Sequence, residues 1–295
     1  MTQRRNPGSQ AQQLLSALSG AGALVASIIT LSWEGAFPAP PASAGTSTAS
    51  PEARGWSLVT LFIALPLLAW FVRGSRRGAL RGRLGSLGVL IYLTYTYLEL
   101  AVSPPESALY LVYIATFSCA LCASWNGVSS VTREELEEAN GARLPRRRMA
   151  VFGLGVGGGL ALAWLKAIVS RALAGQFSWP VGDAAIAHVV QALDLGIQVP
   201  LNVGGGLLLL RRRPSGVILG ALLSVNASCM GWALTAMVAF SARASGQSLA
   251  TAIPFAALGA VSSSLCATFF RALEPPREQT APPRARVLRE HPVEH

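Results

Sequence analysis

Residues 184 to 210 read AAIAHVVQALDLGIQVPLNVGGGLLLL and are followed at once by Arg211, Arg212 and Arg213. The run exceeds the roughly 20 apolar residues that a helix needs to cross a bilayer. It nevertheless carries His188, Gln191, Asp194, Gln198 and Asn202 at steps of 3, 3, 4 and 4. At about 100° per residue these side chains fall within an arc of ~120°, one face of a single helix. Lipid cannot satisfy a polar stripe, so that face must meet protein or water. The stretch therefore predicts a polytopic membrane protein with a polar interior seam.

The rest of the chain agrees in composition. Of its 295 residues 52% are hydrophobic and 13% charged, against about 25% charged in a soluble domain. Eight apolar runs of spanning length lie near 14 to 33, 55 to 72, 85 to 102, 108 to 125, 149 to 170, 184 to 210, 215 to 240 and 249 to 270. The expected fold is an all-α polytopic bundle, a single integral-membrane domain over 1–270 with a flexible tail over 271–295. The segment 34–54, rich in Pro, Ala, Ser and Thr, has too little apolar content to fold alone. In the connection 126–148, Thr132 and Glu135 have capping-box spacing and predict a short solvated helix to about Asn140, balanced by Arg143 to Arg148. Arg4, Arg5, the first apolar run and Ala42-Ser43-Ala44 mimic a signal peptide, but a run of about 20 residues is too long for one, and an uncleaved first span is preferred.

Formal charge is +10, and the arrangement of the basic residues accounts for it without nucleic acid. Twenty of the 24 lie at the N-terminus, in the second, fourth and sixth connections or in the tail, leaving Arg54, Lys166, Arg171 and Arg243 for the other side. The positive-inside rule then puts both termini in the cytoplasm and the protein in the cell (inner) membrane. Anionic lipid at the arginine-rich loops is the expected bilayer contact.

Ionisable residues inside spans are the most specific functional signal, because a carboxylate at the bilayer centre costs about 2.5–3.5 kcal/mol on insertion scales. Asp194 lies near the midplane of its span; Glu99, Lys166 and His188 lie between that depth and the outer surface. Their shared depth permits a polar pocket open to the outside. It also permits an ion pair of Lys166 with Asp194 or Glu99 that only holds the bundle in register. Pro200 cannot donate to the carbonyl of Gly196 and predicts a kink there, with Asn226 as a partner across the helix interface. In the third span Tyr92, Tyr95, Thr96 and Glu99 share one face, read mainly as packing.

Several motifs mimic chemistry. Gly153-x-Gly155-x-x-Gly158 has the letters of a dinucleotide fingerprint but opens a membrane span with no strand before it. Its spacings Gly153-xxx-Gly157 and Gly155-xxx-Gly159 suit close helix packing instead. Cys119-x-x-Cys122 lacks the further ligands of a zinc site. His291-x-x-Glu294-His295 occupies the end of a proline-interrupted tail. No metal and no cofactor is expected.

The segment from Ala53 to Leu61, the run Tyr92-x-x-Tyr95-x-Tyr97, and Asp194-Leu195-Gly196-x-x-Val199-Pro200-Leu201 with the later Arg211-Arg212-Arg213-Pro214-x-Gly216 resemble an uncharacterised family of bacterial polytopic membrane proteins, over roughly residues 53 to 240. The resemblance implies a fold class and a membrane location, and no activity. Relatives carry Gln-Asp where this chain has Trp56 and Ser57, and an acidic residue where it has Ala167.

Three readings follow. The first is a carrier-like protein for a small polar solute, an ion or protons, with Asp194, His188, Lys166 and Glu99 in the seam. No inverted repeat supports it, and the first four spans do not align with the last four. The second is a non-catalytic assembly or sensor subunit whose seam meets a membrane-protein partner. The third is an intramembrane enzyme acting on a lipid or quinone, with Asp194 or His188 as acid and base.

Overall fold

The structure, a computed structural model, describes residues 7–36, 49–103, 107–141, 144–175 and 183–273. Every element among them is helical, and eight helices are long and apolar enough to span a membrane. They are α1 (Gln10–Ser32), α2 (Ser50–Arg76), α3 (Leu80–Val102), α4 (Tyr110–Ser129), α6 (Arg146–Leu173), α7 (Ala184–Leu210), α8 (Ser215–Ala244) and α9 (Leu249–Ala272). A short amphipathic helix, α5 (Arg133–Gly141), joins α4 to α6.

Most of these helices outrun their apolar cores by several residues, because backbone hydrogen bonding continues through the polar ends. The helix α2 starts inside the segment 34–54, whose other described part, Glu34–Ala36, is a single 3-10 turn. The rest of that segment, the tail after Leu273 and its His291/Glu294/His295 motif lie outside the described residues.

Burial identifies the centre. In α3 and α8, 72% and 67% of the most apolar window is buried, against 11% in α6 and 17% in α9. The central pair packs together, α2 leans on α3 and α8, α1 packs on α4, and α7 lies between α6 and α8. Helix α1 belongs to this packing: the Tyr97 hydroxyl donates to the Ala23 carbonyl at 3.1 Å and Gln12 Nε2 donates to Ser86 Oγ at 3.4 Å.

The helix α5 has the anticipated capping box. Its Thr132 N–H donates to Glu135 Oε2 at 3.0 Å and the Glu135 N–H donates to Thr132 Oγ1 at 3.3 Å. The acidic face finds a different cation from the one expected. Glu135 pairs with Arg83 of α3, and Arg133 pairs with Glu137 one turn on at 2.7 Å. Burial alone would raise the Glu135 carboxyl, but the hydrogen bonds from Arg83 and Thr132 and the Arg83 charge hold it below its ordinary value.

Two helices widen ahead of a proline. Over Asp194–Gln198 in α7 the bonding becomes i to i+5, with the Val199 N–H donating to the Asp194 carbonyl, and Pro200 follows. Over Thr60–Ala64 in α2 the Leu65 N–H donates to the Thr60 carbonyl, and Pro66 follows. A proline ring crowds the preceding turn and removes a donor, and a wide turn absorbs both effects. The disturbance predicted at Gly196 and Pro200 therefore takes the form of an enlarged turn. Gly196 itself is exposed, with open space where a Cβ would sit.

These widened turns share a register across the chain. Thr60 and Asp194 are 134 residues apart, as are Pro66 and Pro200, and Gly82 and Gly216. The two glycines also do the same work: a Cβ on Gly82 would lie 2.3 Å from the Ser75 nitrogen, and one on Gly216 would lie 2.8 Å from the Leu208 carbonyl carbon. Helices α1–α4 and α6–α9 are thus two four-helix units in the same sense, a parallel repeat rather than an inverted one. The units differ in one contact. Helix α1 closes on α4 so tightly that a Cβ on Gly22 would lie 2.2 Å from Thr116 Oγ1, whereas α6 and α9 stand apart.

Candidate functional site

The gap between α6 and α9 is a cavity of about 690 Å³, walled also by α2, α3, α7 and α8. Along α7 its lining runs from Ile186 to Asn202, about 24 Å at 1.5 Å per residue. It begins near the end of the bundle where α7 starts and α3 and α8 finish, and its lining stops eight residues short of the other end of α7.

Asp194 is the organising group. It sits at the first position of the widened turn, 8% exposed. Its two carboxylate oxygens accept from Tyr95 Oη of α3 at 2.7 Å and from Trp164 Nε1 of α6 at 2.8 Å. One side chain therefore ties three helices together, through bonds strengthened by the carboxylate charge. One turn deeper, Gln198 Oε1 accepts from Asn226 Nδ2 of α8 at 2.9 Å, and Asn202 Nδ2 donates to the Gln198 carbonyl at 2.7 Å.

This cluster is incompletely satisfied. Gln198 Nε2, Asn202 Oδ1 and Asn226 Oδ1 are buried with no hydrogen-bond partner, and all three residues line the cavity. Each such atom costs about 1–3 kcal/mol if nothing answers it. Glu99 also lines the cavity, 6% exposed, and among the described residues its carboxyl group accepts no hydrogen bond and forms no ion pair. Trp56, on the position next to Ser57, contributes a wall and packs tilted against Tyr92, with ring centroids 5.8 Å apart.

The seam read from the sequence divides here. Asp194, Gln198 and Asn202 line the cavity with Glu99. Gln191 is buried but turns its Oε1 to Arg171 Nη2 at 2.8 Å. His188 and Lys166 are exposed and line no part of the cavity. The ion pair of Lys166 with Asp194 or Glu99 does not form, because Lys166 faces away from the cavity that both carboxyls line.

The glycine motif divides too. Gly153 and Gly157 press on α7, where a Cβ would come within 2.8 Å of the Asn202 carbonyl oxygen and 2.9 Å of Asn202 Cβ respectively. Gly155 and Gly159 meet nothing within 4 Å and line the cavity instead. The expectation that both pairs serve packing therefore holds for the first pair alone.

The shared face of α3 splits in the same way, with Tyr92 facing Thr60 Oγ1 at 3.1 Å and Tyr95 and Glu99 facing the cavity. Sequence reasoning passed over Trp164 and Glu52 as cavity residues. Trp164 stands two residues before Lys166, and its indole N–H needed a buried acceptor at the same depth, a signal present but subordinate to the lysine. Among the described residues no group of three His, Cys, Asp or Glu side chains could hold a metal ion. Cys119 and Cys122 are free thiols on α4.

Comparison of the chain with protein-family models, with curated proteins and with solved structures finds no match.

Proposed function

We propose that the protein is a carrier-like protein of the cell membrane, with both termini cytoplasmic, that admits a small solute from the outer side to Asp194. The observation that carries this reading is the cavity itself: its lining runs from near the arginine-poor end of the bundle past the middle of α7 and includes buried amide atoms that lack partners. A seam built only to hold helices together would satisfy those atoms within the chain. Arginine-rich loops hold the cytoplasmic face against anionic lipid.

The test is access and movement. With Cys119, Cys122 and Cys266 replaced by serine, Ala163→Cys on the cavity wall reacts with a membrane-impermeant maleimide from outside intact cells. Reaction only from the cytoplasmic side, or none, removes the reading. The lateral gap between α6 and α9 would also suit an enzyme acting on a lipid, but the cavity wall holds no His, Ser, Cys or Lys among the described residues. Carboxylates alone would have to supply all the chemistry.

A further inference from the structure

We infer that the solute is an organic cation: a protonated amine or amidine with several N–H donors and an apolar body. The inference rests on the carrier reading of this same cavity and adds the ligand's chemical class. It begins with charge. Among the described residues the cavity wall contains Glu52, Glu99 and Asp194 and no lysine, arginine or histidine. The charged groups that face Glu99 are Glu52 and Asp194, both acidic. The two cations near the end of α6 are directed elsewhere: Lys166 is exposed and Arg171 is bound to Gln191. A carboxyl group buried in an apolar surround either keeps its proton or meets a positive charge. Among the described residues no cation faces Glu99, so a ligand that brings one lets this carboxyl ionise in place.

Hydrogen bonding narrows the class. The vacant acceptors are Asn202 Oδ1 and Asn226 Oδ1, with Gln198 Nε2 as one vacant donor beside them. A group that presents two or more N–H bonds answers both oxygens, which a quaternary ammonium cannot do. The indole rings of Trp56 and Trp164 border the same space and favour a cation over their faces. Toward the α6–α9 gap the wall becomes Gly155, Gly159, Phe255 and Leu258, which calls for an apolar body on the ligand. A volume of about 690 Å³ is that of sites for small organic molecules rather than for bare ions.

Three probes of one shape and different charge test the inference: benzamidinium, benzamide and benzoate, titrated by calorimetry and tryptophan fluorescence onto the full chain in nanodiscs at neutral pH. Benzamidinium is expected to bind at least about tenfold more tightly than benzamide, with benzoate weakest. Glu99→Gln, which removes the ionisable carboxyl without breaking any hydrogen bond within the protein, should cut the benzamidinium preference by about tenfold and leave benzamide unchanged. Asp194→Asn should do the same wherever the variant folds. Equal or tighter binding of benzamide or benzoate overturns the cation class while leaving a solute cavity in place. Binding by none of the three also overturns it. The thiol at position 163 then separates the two readings, since its labelling from outside preserves the carrier and its silence removes both.

Discussion

Replacing Tyr95 by phenylalanine removes a single hydroxyl from the centre of the molecule and keeps the ring that packs there. That hydroxyl donates at 2.7 Å to a carboxylate that is 8% exposed. A buried hydrogen bond to a charged acceptor contributes about 1.5–3 kcal/mol. The matched control is Tyr92→Phe, whose hydroxyl pairs with the neutral Thr60 hydroxyl at 3.1 Å and carries about 0.5–1.5 kcal/mol. For a chain of this size about 2–4 °C of melting temperature accompanies each kcal/mol. Tyr95→Phe should therefore lower the midpoint by roughly 3–12 °C and Tyr92→Phe by roughly 1–6 °C, both read by differential scanning fluorimetry in one detergent. A double-mutant cycle with Asp194→Asn isolates the pair, and its coupling energy should be about 1.5–3 kcal/mol. Additivity within about 0.5 kcal/mol, or a loss in Tyr95→Phe no larger than in Tyr92→Phe, would show that Asp194 does not hold α3 in the way described.

Three further outcomes follow from the same geometry. Gly157→Leu should disrupt the α6–α7 contact, since even a Cβ would lie 2.9 Å from Asn202 Cβ, and the cost is about 1–3 kcal/mol or more; Gly159→Leu should keep the melting temperature and abolish probe binding by filling the cavity mouth. Gly82→Ala and Gly216→Ala should each be severely destabilising, because in both the new methyl meets backbone atoms of the preceding helix rather than a movable side chain; a well-folded variant of either would break the equivalence of the two units. Glu135→Gln should lose stability in a pH-dependent way. The folded carboxyl titrates below its ordinary value of 4.5, so its contribution is present above that pH and is lost as the pH falls through the lower folded value. The melting curves of wild type and variant should converge in acid, and a constant gap across pH would contradict the Arg83 pairing.

The spans were legible because bilayer thickness imposes a length and apolarity that any sequence must display. Asp194, Gln198 and Asn202 were legible because a helical period puts them on one face whatever surrounds it. Lys166 and His188 misled for the same reason: depth and face are properties of one helix, while partnership depends on how neighbouring helices are rotated. The sequence contained the repeat but hid it. Shape required only the prolines and glycines to recur, and the side chains between them diverged, Thr60 against Asp194 and Tyr92 against Asn226.

By itself, then, the sequence determined eight helices long and apolar enough to span a membrane, the capping box of α5 and the polar seam of α7, all of them consequences of composition and local periodicity. Tertiary structure decided that α6 stands away from α9 while α1 closes on α4, that Trp164 and Tyr95 take both oxygens of Asp194, and that Glu99 is left facing a cavity without a cation. Those outcomes turn on distances between residues up to about a hundred positions apart, set by which helix faces pack. No periodicity within a single helix carries that information.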